Sequence, residues 1–192
     1  MAVTYSYGTT SLNTATHTTY HGVSGTPAGV LVFICQNYQS ASVTTSVTYG
    51  SVTLSSVSEA TETRTTGEQG RITTYFAGSG LPSGGQTVTH NRSTNSSVQT
   101  RMYVITVSAG DDTELVNPKT ETGFGLPSLQ TITSYSSENA SRFLAGFSGR
   151  AKVTETSFLP GTSQLNESDL GSQIVLCGRE SCLLYTSDAA DE

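Results

Sequence analysis

Along most of the chain, apolar and hydroxyl residues take turns. AVTYSY (residues 2–7), VTTSVTYG (43–50), SVTLSSV (51–57), RITTYFA (71–77), QTVTHN (86–91) and VQTRMYVITV (98–107) all alternate, are rich in Val, Thr, Tyr and Ile, and stop at Gly, Asn, Ser or Pro. A period of two places successive side chains on opposite faces of an extended strand, so these segments predict half-buried antiparallel strands. LQTITSY (129–135), RFLAGFSG (142–149), KVTETSFL (152–159) and SQIVLCG (172–178) carry the same alternation more weakly. No apolar stripe of helical period runs beyond about two turns; the best candidate, around 134–144, is broken by Ser-Ser and Asn-Ala-Ser. Without helices to make the crossovers, a parallel α/β sheet is excluded.

The turns are equally readable. In SVTYGSVTL (46–54) the alternation is interrupted only at Gly50-Ser51, which predicts a tight hairpin with Gly50 at positive φ. GLPSGG (80–85) predicts a loop, and SAGDD (108–112) closes a strand. NPKTETGFGLP (117–127) is the longest stretch without alternation and is expected to be a long crossover of Greek-key type. About ten strands, with a turn signal about every ten residues, predict an all-β fold: a single antiparallel two-sheet β-sandwich of jelly-roll-like or related Greek-key topology. No repeat of solenoid length is present.

Composition narrows the function classes. The chain has 192 residues, enough for one domain to bury roughly 70% of its unfolded surface without help from a metal or cofactor. Charged residues make up only 12% of the chain, about half the ordinary share. Nine basic against 15 acidic residues give a net charge of −6, with Lys119 and Lys152 the only lysines, so neither nucleic acid nor an anionic membrane is an expected partner. The longest apolar run, VLVFIC (30–35), falls far short of the ~20 residues of a bilayer span, and MAVTYSYGTT lacks the basic and apolar regions of a secretory signal.

Candidate chemistry is sparse. His17 and His21 in HTTYH share one face of a strand but lie roughly 13 Å apart by strand rise, too far for one metal ion on a straight strand. His90 has no sequence-local partner. GFSGR at Gly146 and AGSG at Ala77 approach a nucleophile elbow but lack its glycine spacing and its following helix. The acids Glu59, Glu62, Glu68, Glu121, Glu138 and Glu155 are scattered and form no evident pair for glycoside hydrolysis, and Trp is absent. Asp111, Asp112 and Glu114 lack the spacing and turn glycine of a calcium loop and read as a solvated turn. The Asn-x-Ser triplets at Asn91, Asn95, Asn139 and Asn166 are expected by chance in so serine-rich a chain. No catalytic, cofactor-binding or metal residue is therefore assigned, and no cofactor is expected.

GVLVFICQNYQSASVTTSVTYGSVTL, followed by YFAGSGLPSGGQTVTH, resembles a β-sandwich family that recurs in bacteriophage and environmental sequences. The matching residues are Leu31 to Ile34, Val47 to Gly50, Tyr75, Phe76, Leu81, Pro82, Gly84 and Thr87 to Thr89; Ser51 and His90 depart from the pattern, and the resemblance covers residues 28–108. It implies a virion-associated or surface-displayed module with no catalytic residues to carry over. The expected function is thus a non-catalytic structural or interaction module of a phage virion, of the tail, baseplate or capsid-decorating kind. Its expected partners are other virion or surface-assembly subunits, as a homo-oligomer. The alternative is a carbohydrate-binding, lectin-like module that uses tyrosines and asparagines on glycans, and a β-sandwich polysaccharide hydrolase comes third. Location on a virion or an extracellular surface follows from the same reading.

The ending CLLYTSDAADE differs from the rest of the chain. Cys182 to Asp191 resembles, residue for residue, one reading frame of a widely used transposon-type sequencing adapter. The expectation is a β-sandwich over residues 1–181, truncated at its C-terminus, followed by a non-native tail over 182–192. Cys35 and Cys177 then remain as two buried thiols or an inter-sheet disulfide.

Overall fold

A computed structural model describes residues 3–9, 15–38, 44–63, 69–93, 99–108, 114–121, 129–135, 140–149, 162–170 and 173–182, with side chains placed for 15–36, 44–59, 61, 71–93 and 100–107. The described residues contain strands and no helix. Among the described residues, nine strands precede residue 109: β1 (Val3–Thr9), β2 (Thr16–His21), β3 (Pro27–Tyr38), β4 (Thr44–Tyr49), β5 (Val52–Thr53), β6 (Ser55–Thr63), β7 (Gln69–Ala77), β8 (Gln86–Arg92) and β9 (Gln99–Ser108). They form two antiparallel sheets, sheet I in the order β1-β9-β3-β7-β6 and sheet II in the order β2-β8-β4-β5.

The pairing is nested. β4 pairs with β5 around the Gly50-Ser51 turn, β3 with β7, β2 with β8 and β1 with β9, so the chain is one long ribbon doubled back on itself. Successive pairs fall alternately in sheets II and I, which wraps the ribbon into the eight-strand jelly roll, with β6 added at the edge of sheet I. The expected all-β, two-sheet sandwich is therefore what β1 to β9 form. Gly50 takes φ 57°, as the hairpin requires, and Gly80 and Gly84, at φ 68° and 77°, shape the predicted loop between β7 and β8.

Sheets I and II close on a core of Val30, Val32, Ile34, Tyr75, Met102 and Val104 from sheet I and Val47, Tyr49 and Val88 from sheet II, with Leu54 and Leu81 from the connections. Leu54 explains why SVTLSSV is two strands and not one. The chain leaves sheet II after Thr53 and enters sheet I at Ser55; Leu54 sits between them, buried, its amide donating to the Val47 carbonyl at 2.9 Å.

Sheet I departs from the half-buried pattern. On its far side from sheet II, Leu31, Phe33, Cys35, Ile72, Tyr103, Ile105 and Val107 are buried as well. A strand covered on both faces reads as a continuous apolar run, which is the physical reason for VLVFIC at the centre of β3. Cys35 is buried there, at the centre of β3, and the side chain of Cys177 lies outside those described.

Five further strands make a third antiparallel sheet, in the order β10-β11-β12-β14-β13: β10 (Glu114–Glu121), β11 (Leu129–Tyr135), β12 (Ala140–Gly149), β13 (Thr162–Leu170) and β14 (Gln173–Cys182). β10 and β11 approach β6, and β12 and β13 approach β7 and β9. Here the crossover expected over 117–127 is corrected. Its first five residues belong to β10, which pairs with β11 and tolerates Pro118 because the register shifts between Val116 and Lys119. β13 was not signalled by the alternation, and KVTETSFL lies outside the described residues. Cys182 ends β14 opposite Ala140, and 183–192 lie outside the described residues. Among the described residues no helix is long and apolar enough to cross a membrane.

Candidate functional site

The chemically distinctive part of the sandwich is the inner face of sheet II, where polar side chains stand beside the apolar core. In β2 the alternation turns His17 and His21 inward and Thr16, Thr18 and Tyr20 outward; in β8 it turns Val88, His90 and Arg92 inward. His17 and His21 thus share one face, as their spacing predicts, and the partner that His90 lacks locally is supplied from across the sheet. Antiparallel register sets His17 directly opposite His90, and their rings stack with centroids 5.5 Å apart and 21° between planes.

His90 is wholly buried, and its Nε2 lies 2.9 Å from the Thr44 hydroxyl at the start of β4. Thr44 is also a side-chain hydrogen-bond partner of Tyr75 on β7. A polar chain, Tyr75–Thr44–His90–His17, therefore runs from sheet I across the core gap and over sheet II. A second bridge spans the sheets from the other end of β2, where His21 Nε2 lies 2.8 Å from the Thr106 hydroxyl of β9. His21 also meets the Tyr49 ring edge-on at 6.3 Å.

Burial decides the protonation of this cluster. Desolvation lowers His21 to about 4. Desolvation, with smaller contributions from His17 and Arg92, lowers His90 to about 3. Both imidazoles are neutral at neutral pH, each able to donate from one nitrogen and accept at the other. Burial likewise pushes the Tyr49 and Tyr75 phenols up and holds Arg92 below its ordinary value.

Neutral imidazoles sealed between two sheets can hold a hydrogen-bond network together, whereas general acid–base work requires reach to a substrate. The stacked arrangement of His17 and His90 aligns ring faces instead of converging ring nitrogens on one point. Among the described residues no three His, Cys, Asp or Glu side chains come together as metal ligands. Glu59, on β6, faces cations and hydroxyls: it lies 3.5 Å from Arg71 Nε and accepts from the Thr73 hydroxyl at 3.3 Å. The side chains of Glu62, Glu68, Asp111, Asp112, Glu114, Glu121, Glu138 and Glu155 lie outside those described. Sequence reasoning missed Thr44 and Thr106 as histidine partners, since nothing distinguishes them among so many threonines. Compared with known proteins, the chain matches no protein-family model, no curated protein and no solved structure.

Proposed function

We propose that this chain is a non-catalytic structural or interaction module of a phage virion, of the tail, baseplate or capsid-decorating kind. The observation that carries this reading is the polar interior of the jelly roll: the described histidines are buried in the core, and His21 and His90, neutral there, link one sheet to the other. Such a scaffold does its work by being rigid and by presenting its outer surfaces and edges to neighbouring subunits. The resemblance over residues 28–108 and the use of jelly rolls in viral capsids support the same placement, the latter by analogy of fold. Because the module is passive, its activity is assembly.

The test is genomic and biochemical. Recovery of the surrounding contig is expected to reveal genes for portal, terminase or tail proteins, and light scattering on the purified chain is expected to give a symmetric oligomer. Neighbouring polysaccharide-utilisation genes together with a monomer at every concentration would overturn the reading.

A further inference from the structure

The outer face of sheet II is a regular, uncharged array of hydroxyl and amide side chains. Three cross-strand rows make it up. Thr18, Thr89, Thr48 and Thr53 stand opposite one another in turn across β2, β8, β4 and β5. Thr16, Asn91 and Ser46 form the next row, and Tyr20 and Thr87 the row on the other side. The strand geometry spaces these positions about 4.8 Å apart across strands and ~6.7 Å along them, and the four-threonine row spans about 14 Å.

Two kinds of group are displayed. In the outer row the polar groups are already ordered among themselves: the Thr16 hydroxyl donates to Asn91 Oδ1 at 2.9 Å, and Asn91 Nδ2 donates to the Ser46 Oγ at 3.0 Å. In the central row, Thr18, Thr89, Thr48 and Thr53 point to the outer face, and among the described residues none of their hydroxyls has a side-chain hydrogen-bond partner. At the end of the array Tyr20 is 68% exposed, the one large apolar side chain so displayed among the described residues. Its ring is backed by glycine: a Cβ on Gly22 would touch Tyr20 Cε1 at 3.7 Å, and a Cβ on Gly85 would collide with the phenol. The two glycines leave room for the ring to lie close to the backbone with its other face open.

We infer that this face is a binding site for an uncharged, extended glycan. The chemistry matches on three counts. The face carries no Lys, Arg, Asp or Glu, so nothing on it would recognise a phosphate, sulfate or carboxylate. Tyr20 offers an aromatic platform for the apolar face of a sugar ring together with a hydroxyl at its edge. The threonine row offers donors and acceptors at repeated spacing over the length of a short oligosaccharide, so it suits a chain of sugars and not a single ring. Preordering of Thr16, Asn91 and Ser46 lowers the entropy lost on binding. The inference stands apart from placement in a virion, because the face belongs to the chain's own sheet.

The test is affinity electrophoresis of the full chain in native gels cast with neutral polysaccharides (β-glucan, mannan, xylan, dextran, starch), with heparin and chondroitin sulfate as charged comparators. Retardation is expected in at least one neutral gel. Tyr20→Ala should weaken it by about tenfold, Tyr20→Phe should largely preserve it, and Thr89→Val, which removes a hydroxyl and keeps the β-branched shape, should weaken it by roughly threefold. Tyr20 is exposed, so an unchanged thermal unfolding curve serves as the folding control. Retardation by no neutral polymer, retardation by the sulfated polymers alone, or equal retardation of wild type and Tyr20→Ala would each overturn the inference. So would Tyr20→Ala converting an oligomer to a monomer without changing retardation, which would assign the face to a second copy of the chain. None of these outcomes bears on the gene neighbourhood, so the inference and the assembly reading fail separately.

Discussion

His17 and His90 stand directly opposite each other across β2 and β8, their rings stacked at 5.5 Å in the interior of the sandwich. From His90 the contacts run to the opposite sheet through Thr44 and Tyr75. Together with His21 and Thr106, these contacts place directional hydrogen bonds inside a core that hydrophobic packing alone would leave free to slide.

Acid should loosen the sandwich. His21 and His90 would take up protons near pH 6.5 in the unfolded chain but only near pH 4 and pH 3 in the folded one. Above pH 6.5 both states are neutral and the contribution to stability is complete. As pH falls below 6.5 the unfolded chain binds protons that the folded chain refuses, so stability declines, by at most about 1.4 kcal/mol per pH unit for each histidine. The decline ends as pH passes the folded values. Urea unfolding midpoints between pH 7.5 and 4 should fall accordingly, and His90→Gln should lessen the slope. A midpoint independent of pH would contradict the burial of these rings.

Much of this architecture was legible from local signals. The Val47-Thr48-Tyr49 alternation, the Gly50-Ser51 turn and the Gly80–Gly85 loop all depend on neighbouring residues, and all appear where their chemistry places them. The nested pairing does not. The contact of His17 with His90 depends on strands far apart in sequence, and the position of each histidine reveals its face but not its partner. The split at Leu54 was hidden because a core leucine fits an alternating strand as well as it fits a crossing between sheets. The second buried face of sheet I was signalled only by the unbroken run in β3, and strand β10 was masked by Pro118, which a bulge accommodates. Tyr20 falls in an ordinary alternating segment, and its prominence depends on Gly22 and Gly85 beneath it.

The bridge from His21 to Thr106 can be isolated. Thr106→Val keeps the branched shape but leaves a buried imidazole nitrogen without that hydroxyl, at a cost of about 1–3 kcal/mol. Combining it with His21→Leu replaces both polar partners by apolar groups and should cost less than the two single changes added together. A double-mutant cycle from denaturant midpoints measures the difference; strict additivity would show that the contact contributes nothing.

At the β4–β5 turn, Gly50→Ala should destabilise by about 1–2 kcal/mol. The residue holds φ 57°, where a Cβ costs energy, and that Cβ would also meet Gln86 Oε1 at 2.5 Å and Pro82 Cγ at 3.3 Å. Displacing Gln86 breaks the hydrogen bond that its side-chain amide donates to the Ser83 carbonyl at 2.9 Å. Gly80→Ala, at φ 68° but with open space around it, should cost only the backbone part, so the difference in thermal unfolding between the two variants measures the packing of the loop against the turn.

Cys35 should behave as a reporter of sheet I opening. Its thiol is buried in the middle of β3, on the face turned away from sheet II, with Ile72 and Arg101 opposite it on the flanking strands. A modifying reagent reaches such a group only when β3 separates from its neighbours, which for a central strand approaches global unfolding. Mass-spectrometric mapping after treatment with a maleimide should therefore find the peptide containing Cys35 unmodified in buffer and fully modified in denaturant. Prompt modification in buffer would mean that the far face of sheet I is open to solvent.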